Sequence, residues 1–123
     1  MLDKKVTNRH AFGQTVSDFQ GIRWMLADMQ IQTEAARGLV YKAAAAVDAG
    51  VSGNDLAIQA AIAKCHATDT AMKVATDAVQ LFGASGVSNE YPINRYFRDA
   101  KVLQIVEGTN QIQRNLISRI MLS

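Results

Sequence analysis

The stretch SDFQGIRWMLADMQIQTEAARGLVYKAAAAVDAG, Ser17 to Gly50, decides the fold. Apolar or small residues recur at Phe19, Ile22, Leu26, Met29, Thr33, Ala36, Val40, Ala43 and Val47, alternating steps of three and four. That spacing draws one stripe along a 3.6-residue helix. Ser17-Asp18-Phe19-Gln20 has the S-x-x-Q form of a capping box, which predicts the helix start, and Gly50 supplies a stop. At ~1.5 Å per residue such a helix is roughly 45 to 50 Å long.

Downstream, Val51-Ser52-Gly53-Asn54 reverses the chain, with Ser52 or Asn54 as cap. A second long helix is predicted from about Asp55 to Phe82, on a seam through Ile58, Ile62, Cys65, Met72 and Val79. Gly83-Ala84-Ser85-Gly86 ends it. Pro92 suits the first position of a shorter helix over Ile93 to Ile105, and a last helix follows Thr109 to the C-terminus. Four helices with short connections predict an all-α, up-down four-helix bundle, with Leu26, Met29, Val40, Ile62 and Met72 buried. Upstream, Met1 to Arg9 predicts a short charged helical piece, and His10-Ala11-Phe12-Gly13-Gln14 a loop. A bundle can stand without them, so this end reads as a cut, either an arbitrary boundary or a domain that once continued upstream.

Composition agrees with helices. The 123 residues suffice for one domain, and 49% are hydrophobic while only 7% are aromatic, the Ala-, Val-, Ile-, Leu- and Met-rich mixture of helix packing. The 13 basic residues are scattered among 11 acidic ones for a net charge of +2, which argues against a nucleic-acid partner. A single cysteine, Cys65, provides no disulfide or zinc framework and points to a reducing, cytoplasmic setting. No apolar run of membrane-spanning length occurs.

Several polar residues have ordinary readings. His66 and Asp69 share a helix face, but no third ligand follows at helical spacing, so a polar pair is expected and no metal. Cys65 reads as core, and Met25 and Met29 as packing. Arg95 and Arg98, near Glu90 and Asp99, read as a charged surface or intersubunit network.

One carboxylate stands apart. In VLQIVEGTNQIQR, Val102 to Arg114, Glu107 follows an apolar run broken only by Gln104 and precedes a Gly-Thr pair that reads as a helix break and a new cap. A Glu there is either an ordinary loop carboxylate or a proton acceptor held in a dry pocket. Three motifs in order bear on the choice: Arg9-His10-Ala11-Phe12-Gly13, Gln80-Leu81-Phe82-Gly83-Ala84-Ser85-Gly86, and YFRDAKVLQIVEGTNQIQR ending at Arg114. Along essentially its whole length the chain resembles the C-terminal helical domain of acyl-CoA dehydrogenases. R-D-A-K followed, after five intervening residues, by E-G-T-x-Q-I-Q-R is the specific part of the match.

The resemblance implies a single helical domain over residues 1–123, without the N-terminal helical and middle β domains of that family. It implies FAD-dependent oxidation of an acyl-CoA thioester to the trans-2-enoyl-CoA in fatty acid metabolism, with an electron-transfer flavoprotein-type acceptor and a homodimeric or homotetrameric assembly. It assigns the catalytic base to Glu107. A base that takes a proton from a weakly acidic carbon needs a water-poor site. Gly108 would let the backbone approach substrate and flavin. Thr109 and Gln111 match FAD contacts. Arg9, Phe12, Gln80 and Gly83 match contacts to the FAD of a neighbouring subunit, Arg9 at the diphosphate and Gln80 and Gly83 at the adenine half. Two departures bear on acyl specificity and cofactor contact: Ala84 stands where the family commonly has Gly, and Val106 where it commonly has Tyr before the base. Branches that place the base upstream lack a Glu in E-G-T, so Glu107 argues against membership in them. By the same resemblance the isolated chain is expected to be inactive without the missing domains. A non-enzymatic helical oligomerisation or interaction module derived from this domain is the other reading.

Overall fold

A computed structural model describes residues 1–123 as an all-α fold of five helices: α1 (Leu2–Asn8), α2 (Gln20–Asp48), α3 (Gly53–Phe82), α4 (Ile93–Leu103) and α5 (Asn110–Met121). Short 3-10 turns at Val16–Asp18 and Gly83–Val87 precede α2 and follow α3. α3 is the hub: α1, α2, α4 and α5 all pack on it, whereas α2 makes no substantial contact with α4 or α5.

That geometry corrects two core assignments. Met29 is buried, and Leu26 and Met72 are half-buried, but Val40 is 42% exposed and Ile62 37% exposed. The buried positions of the two long helices are mostly small, Ala36 and Ala46 on α2 and Ala61, Ala63 and Ala75 on α3. With only one principal neighbour, α2 leaves large apolar side chains such as Trp24 and Ile31 in the open. The apolar core is concentrated at one end, where Val6, Met29, Ala78, Leu81, Phe82 and Ile93 pack together. Val6 of α1 is only 1% exposed, so the N-terminal piece is part of this core rather than dispensable to it.

The start of α2 also differs. The capping box is Thr15–Asp18, two residues earlier than Ser17–Gln20: Thr15 N and Thr15 Oγ1 donate to Asp18 Oδ2 at 3.1 and 2.6 Å. The sequence TVSDFQ offers both boxes, and the turn takes the first because Phe19 is extended at φ −72°, ψ 124°. The loop expected at His10 to Gln14 closes as a minimal hairpin, β1 (His10–Ala11) against β2 (Gln14–Thr15), with His10 opposite Thr15 and Ala11 opposite Gln14. Its two turn residues, Phe12 and Gly13, have φ of 54° and 82°. Positive φ at both is what a two-residue hairpin turn requires to match strand twist.

Other boundaries agree closely with the sequence. Gly50 stops the first long helix at φ 76°, α3 ends at Phe82, and the Thr109 side chain caps α5 by accepting from Ile112 N at 3.3 Å. Ser52 holds the cap position of α3 without a side-chain bond, and α4 ends at Leu103 rather than Ile105. Cys65 is buried, and burial pushes its thiol up. The four ion pairs within the chain leave out Arg95 and Arg98; Arg95 lies over the Tyr96 ring at 5.8 Å instead. No helix is long and apolar enough to cross a membrane.

Candidate functional site

The loop Gln104 to Thr109 joins α4 to α5, and its shape follows from two adjacent left-handed residues, Glu107 at φ 55° and Gly108 at φ 85°. Gly tolerates that conformation; for Glu it costs on the order of 1 kcal/mol or more. A Cβ at position 108 would also lie 2.8 Å from Gln113 Nε2, the movable end of a side chain that could swing aside, so it is the backbone that favours glycine here. Glu107 and Phe12 are the only non-glycine residues with positive φ. Backbone strain of this kind concentrates at working sites, where the surroundings hold it in place.

What holds Glu107 lies beneath the loop. Lys64 Nζ donates to Gly108 O at 2.8 Å and to Asn110 Oδ1 at 2.7 Å. Asn110, 3% exposed, donates from Nδ2 to Thr68 Oγ1 at 2.8 Å and to Asp69 Oδ1 at 2.7 Å. Asp69 also accepts from Gln104 Nε2 at 2.7 Å and from Arg114 at 2.5 Å. Burial pushes the Asp69 carboxyl up, but the bonds from Arg114, Gln104 and Asn110 outweigh it and hold the acid below the ordinary carboxylate range. Asn110 N closes the loop on Gln104 O at 3.0 Å, and Gln113 Nε2 donates to Glu107 O at 3.1 Å. The N–H groups of Glu107, Gly108 and Thr109, in contrast, find no acceptor within the chain.

This network is what sequence reading missed. Asp69 pairs with Arg114, Gln104 and Asn110, not with His66, whose Nε2 is buried without a partner. The contacts bridge 35 to 46 residues in sequence, beyond any helical spacing. The one local signal was an Asn at the start of a helix that already had Thr109 as its cap.

The other expected site residues gather elsewhere. Arg9, Phe12 and Gln80 line an open, mostly apolar groove of about 740 Å³ with Val16, Phe19 and Ile22. Gly83 sits beneath the Arg9 guanidinium, at φ 64° and ψ −145°; a Cβ there would come within 2.8 Å of an Arg9 nitrogen. An apolar wall, an amide and one guanidinium suit a flat ring carrying an anionic group, so the residues fit a nucleotide cofactor. Phe12 is 97% exposed. Gln111, at the opposite site, lines a polar cleft of about 450 Å³ with Asp69, Gln104, Asn110 and Arg114.

The two groups stay apart. Lys64 under Gly108 and Gln80 in the groove are sixteen residues apart on α3 by their numbering, or about 24 Å of helix. Arg9, Phe12, Gln80 and Gly83 form one site, and Glu107, Gly108, Thr109 and Gln111 the other. Ala84 is exposed, and Val106 beside Glu107 is 41% exposed, so neither departure sits in the chain's own core.

An all-α domain with a strained acidic loop on a buried polar network, and a guanidinium-lined apolar groove some 24 Å along its hub helix, is the class of protein that fold and site define. The chain belongs to the acyl-CoA dehydrogenase family, matching the description "Acyl-CoA dehydrogenase, C-terminal domain" over residues 4–122. A probable acyl-CoA dehydrogenase, fadE25, of Mycobacterium leprae is 52% identical over 115 residues, which cover 94% of this chain and 29% of the relative. The solved butyryl-CoA dehydrogenase of Megasphaera elsdenii superposes with a TM-score of 0.94 at 46% identity, covering 99% of this chain and 31% of that one. A solved FAD complex of PigA superposes at 0.89 with 26% identity, covering 98% and 30%. The chain thus spans about three tenths of the length of these relatives.

Proposed function

We propose that this chain supplies the general base and part of the FAD site for the α,β-dehydrogenation of an acyl-CoA thioester, acting together with N-terminal helical and middle β domains. The observation that carries the reading is the Glu107 loop: a carboxylate in a strained left-handed conformation, with free amides at 107 to 109 while the carbonyls of Gln104, Glu107 and Gly108 are bonded. Removal of the α-proton by Glu107 would leave negative charge growing on the thioester oxygen. Unpartnered N–H groups at Glu107 and Gly108 are the donors such an oxygen needs. Bound FAD would supply the acceptor for the β-hydride.

Thr109 and Gln111 fall on the same side of the domain as the base, while Arg9, Phe12, Gln80 and Gly83 lie about 24 Å along α3. The separation suits two cofactors, one beside the base and one in a neighbouring subunit of a homodimer or homotetramer. Val102, Leu103, Ile105 and Val106 are exposed around the base, and only 16 of 123 residues are buried. Covering that apolar surface with further domains or subunits would exclude water from the carboxylate. The same bare surface favours the alternative, a non-enzymatic oligomerisation module. A cytoplasmic setting and an electron-transfer flavoprotein-type acceptor complete the proposal.

The test joins this chain to the N-terminal two domains of the Megasphaera elsdenii relative. The chimaera should purify yellow and bleach anaerobically with butyryl-CoA. Glu107→Gln should keep its flavin and lose two to four orders of magnitude in bleaching rate, the usual contribution of a positioned base. Bleaching by the Gln variant at nearly the parent rate would remove Glu107 from the mechanism, and a colourless, well-folded chimaera would favour the interaction module.

A further inference from the structure

The geometry points to Asp69 as the positioning residue for Glu107, a post on α3 that fixes both ends of the Gln104–Asn110 loop and so holds the carboxylate in its left-handed conformation. This rests on the reading of Glu107 as base, but the structural part stands without it. Asp69 receives Gln104 from the end of α4, Asn110 from the start of α5, and Arg114 from the next turn of α5. Those three donors bracket Glu107 on either side in sequence, and none comes from Glu107 itself. Lys64, one turn before Asp69, completes the support by binding Gly108 O and Asn110 Oδ1.

The carboxylate type matters. Ionised Asp accepts at both oxygens and donates at neither, so three donors converge on it without conflict. Gln104 and Asn110 share Oδ1 while Arg114 takes Oδ2, so the NH₂ of Asn at 69 expels either Arg114 or both loop donors, and the neutral amide oxygen holds whatever remains more weakly. The post is loosened in either case and the strained Glu107 φ can relax, since nothing else ties Gln104 to α3. Misplacement of a base by about 1 Å can cost up to a hundredfold in rate.

The experiment has two arms. In the 123-residue chain, Asp69→Asn should speed amide exchange of residues 104–113, the Asn110 amide above all, by about tenfold or more while α2 is unchanged. In the flavin-loaded chimaera the same variant should lower kcat by about 10- to 100-fold with KM and flavin content nearly constant. Gln104→Met, at a half-buried position, repeats both measurements with smaller effects if Asp69→Asn does not fold. Unchanged exchange in the loop overturns the inference, as does a rate that falls only with flavin content. Failure of the base reading looks different: Glu107→Gln would then bleach at the parent rate while loop exchange in Asp69→Asn still rises.

Discussion

The chain's two strained residues, Phe12 and Glu107, are held in opposite ways. Phe12 sits at the tip of a two-residue ladder, and the ring it meets is Phe19, edge-on at 6.4 Å. Glu107 rides on a loop whose flanking residues bind Lys64 and Asp69 through a buried asparagine. One end therefore leaves its ring in the open, and the other carries its own support. On the proposed reading, preorganisation belongs at the base, where small displacements cost rate, and a docking aromatic needs only to be presented.

The largest expected effect on stability comes from the supported end. Asn110→Leu leaves Lys64 and Asp69 part-buried with lost partners, which should destabilise the chain by about 2–4 kcal/mol. Thermal unfolding should fall by on the order of 10 °C. An unchanged midpoint would mean that solvent replaces Asn110 without penalty and that the network does not distinguish the two ends.

Gly83→Ala probes the other end. Its φ of 64° with ψ of −145° is nearly closed to residues with a Cβ, so strain of about 1–3 kcal/mol is expected. The new methyl would also displace the Arg9 guanidinium, whose terminal nitrogens can swing outward. Flavin retention in the chimaera should drop several-fold, in excess of what the lost stability explains. A drop in stability alone would detach Gly83 from cofactor binding.

A pH series sharpens the contrast further. Asp69 titrates below its ordinary value in the folded chain, so its contribution is present above the unfolded carboxylate value and is lost as pH falls through the lower folded one. The stability gap between the parent and Asp69→Asn should therefore be full near neutrality and close in acid. Loop exchange should follow it, while the acid response of the Phe12 hairpin, set by Asp18 on Thr15 of β2, should be the same in the parent and in Asp69→Asn.

Legibility in the sequence divides along the same line. The stops at Gly50 and Phe82 and the Thr109 cap were readable because each is fixed by residues a few positions apart. Val40 and Ile62 were misplaced because periodicity gives a stripe without saying how many neighbours cover it, and α3 alone faces α2 at length. The proposed site residues were named through motif resemblance alone, whereas Lys64, Asp69 and Asn110 gave no signal, since their convergence exists only once α5 lies on α3. His66 was paired with Asp69 by spacing, and lost to charged and amide donors from across the fold.

The smallest effect should carry an opposite sign in stability and function. Phe12 occupies a turn position where Asn-Gly is the favoured pair, because Asn tolerates positive φ far better than an aromatic residue does. Phe12→Asn therefore relieves strain, and the ring it removes was almost wholly exposed, so little packing is lost. The chain should become more stable by a few tenths to about 1 kcal/mol. If the ring is presented to a cofactor or a neighbouring subunit, flavin retention or association in the chimaera should weaken at the same time. That combination identifies strain kept for function. A variant less stable by several degrees would show instead that the Phe12–Phe19 edge contact holds the hairpin, and both ends of the molecule would then be supported from within.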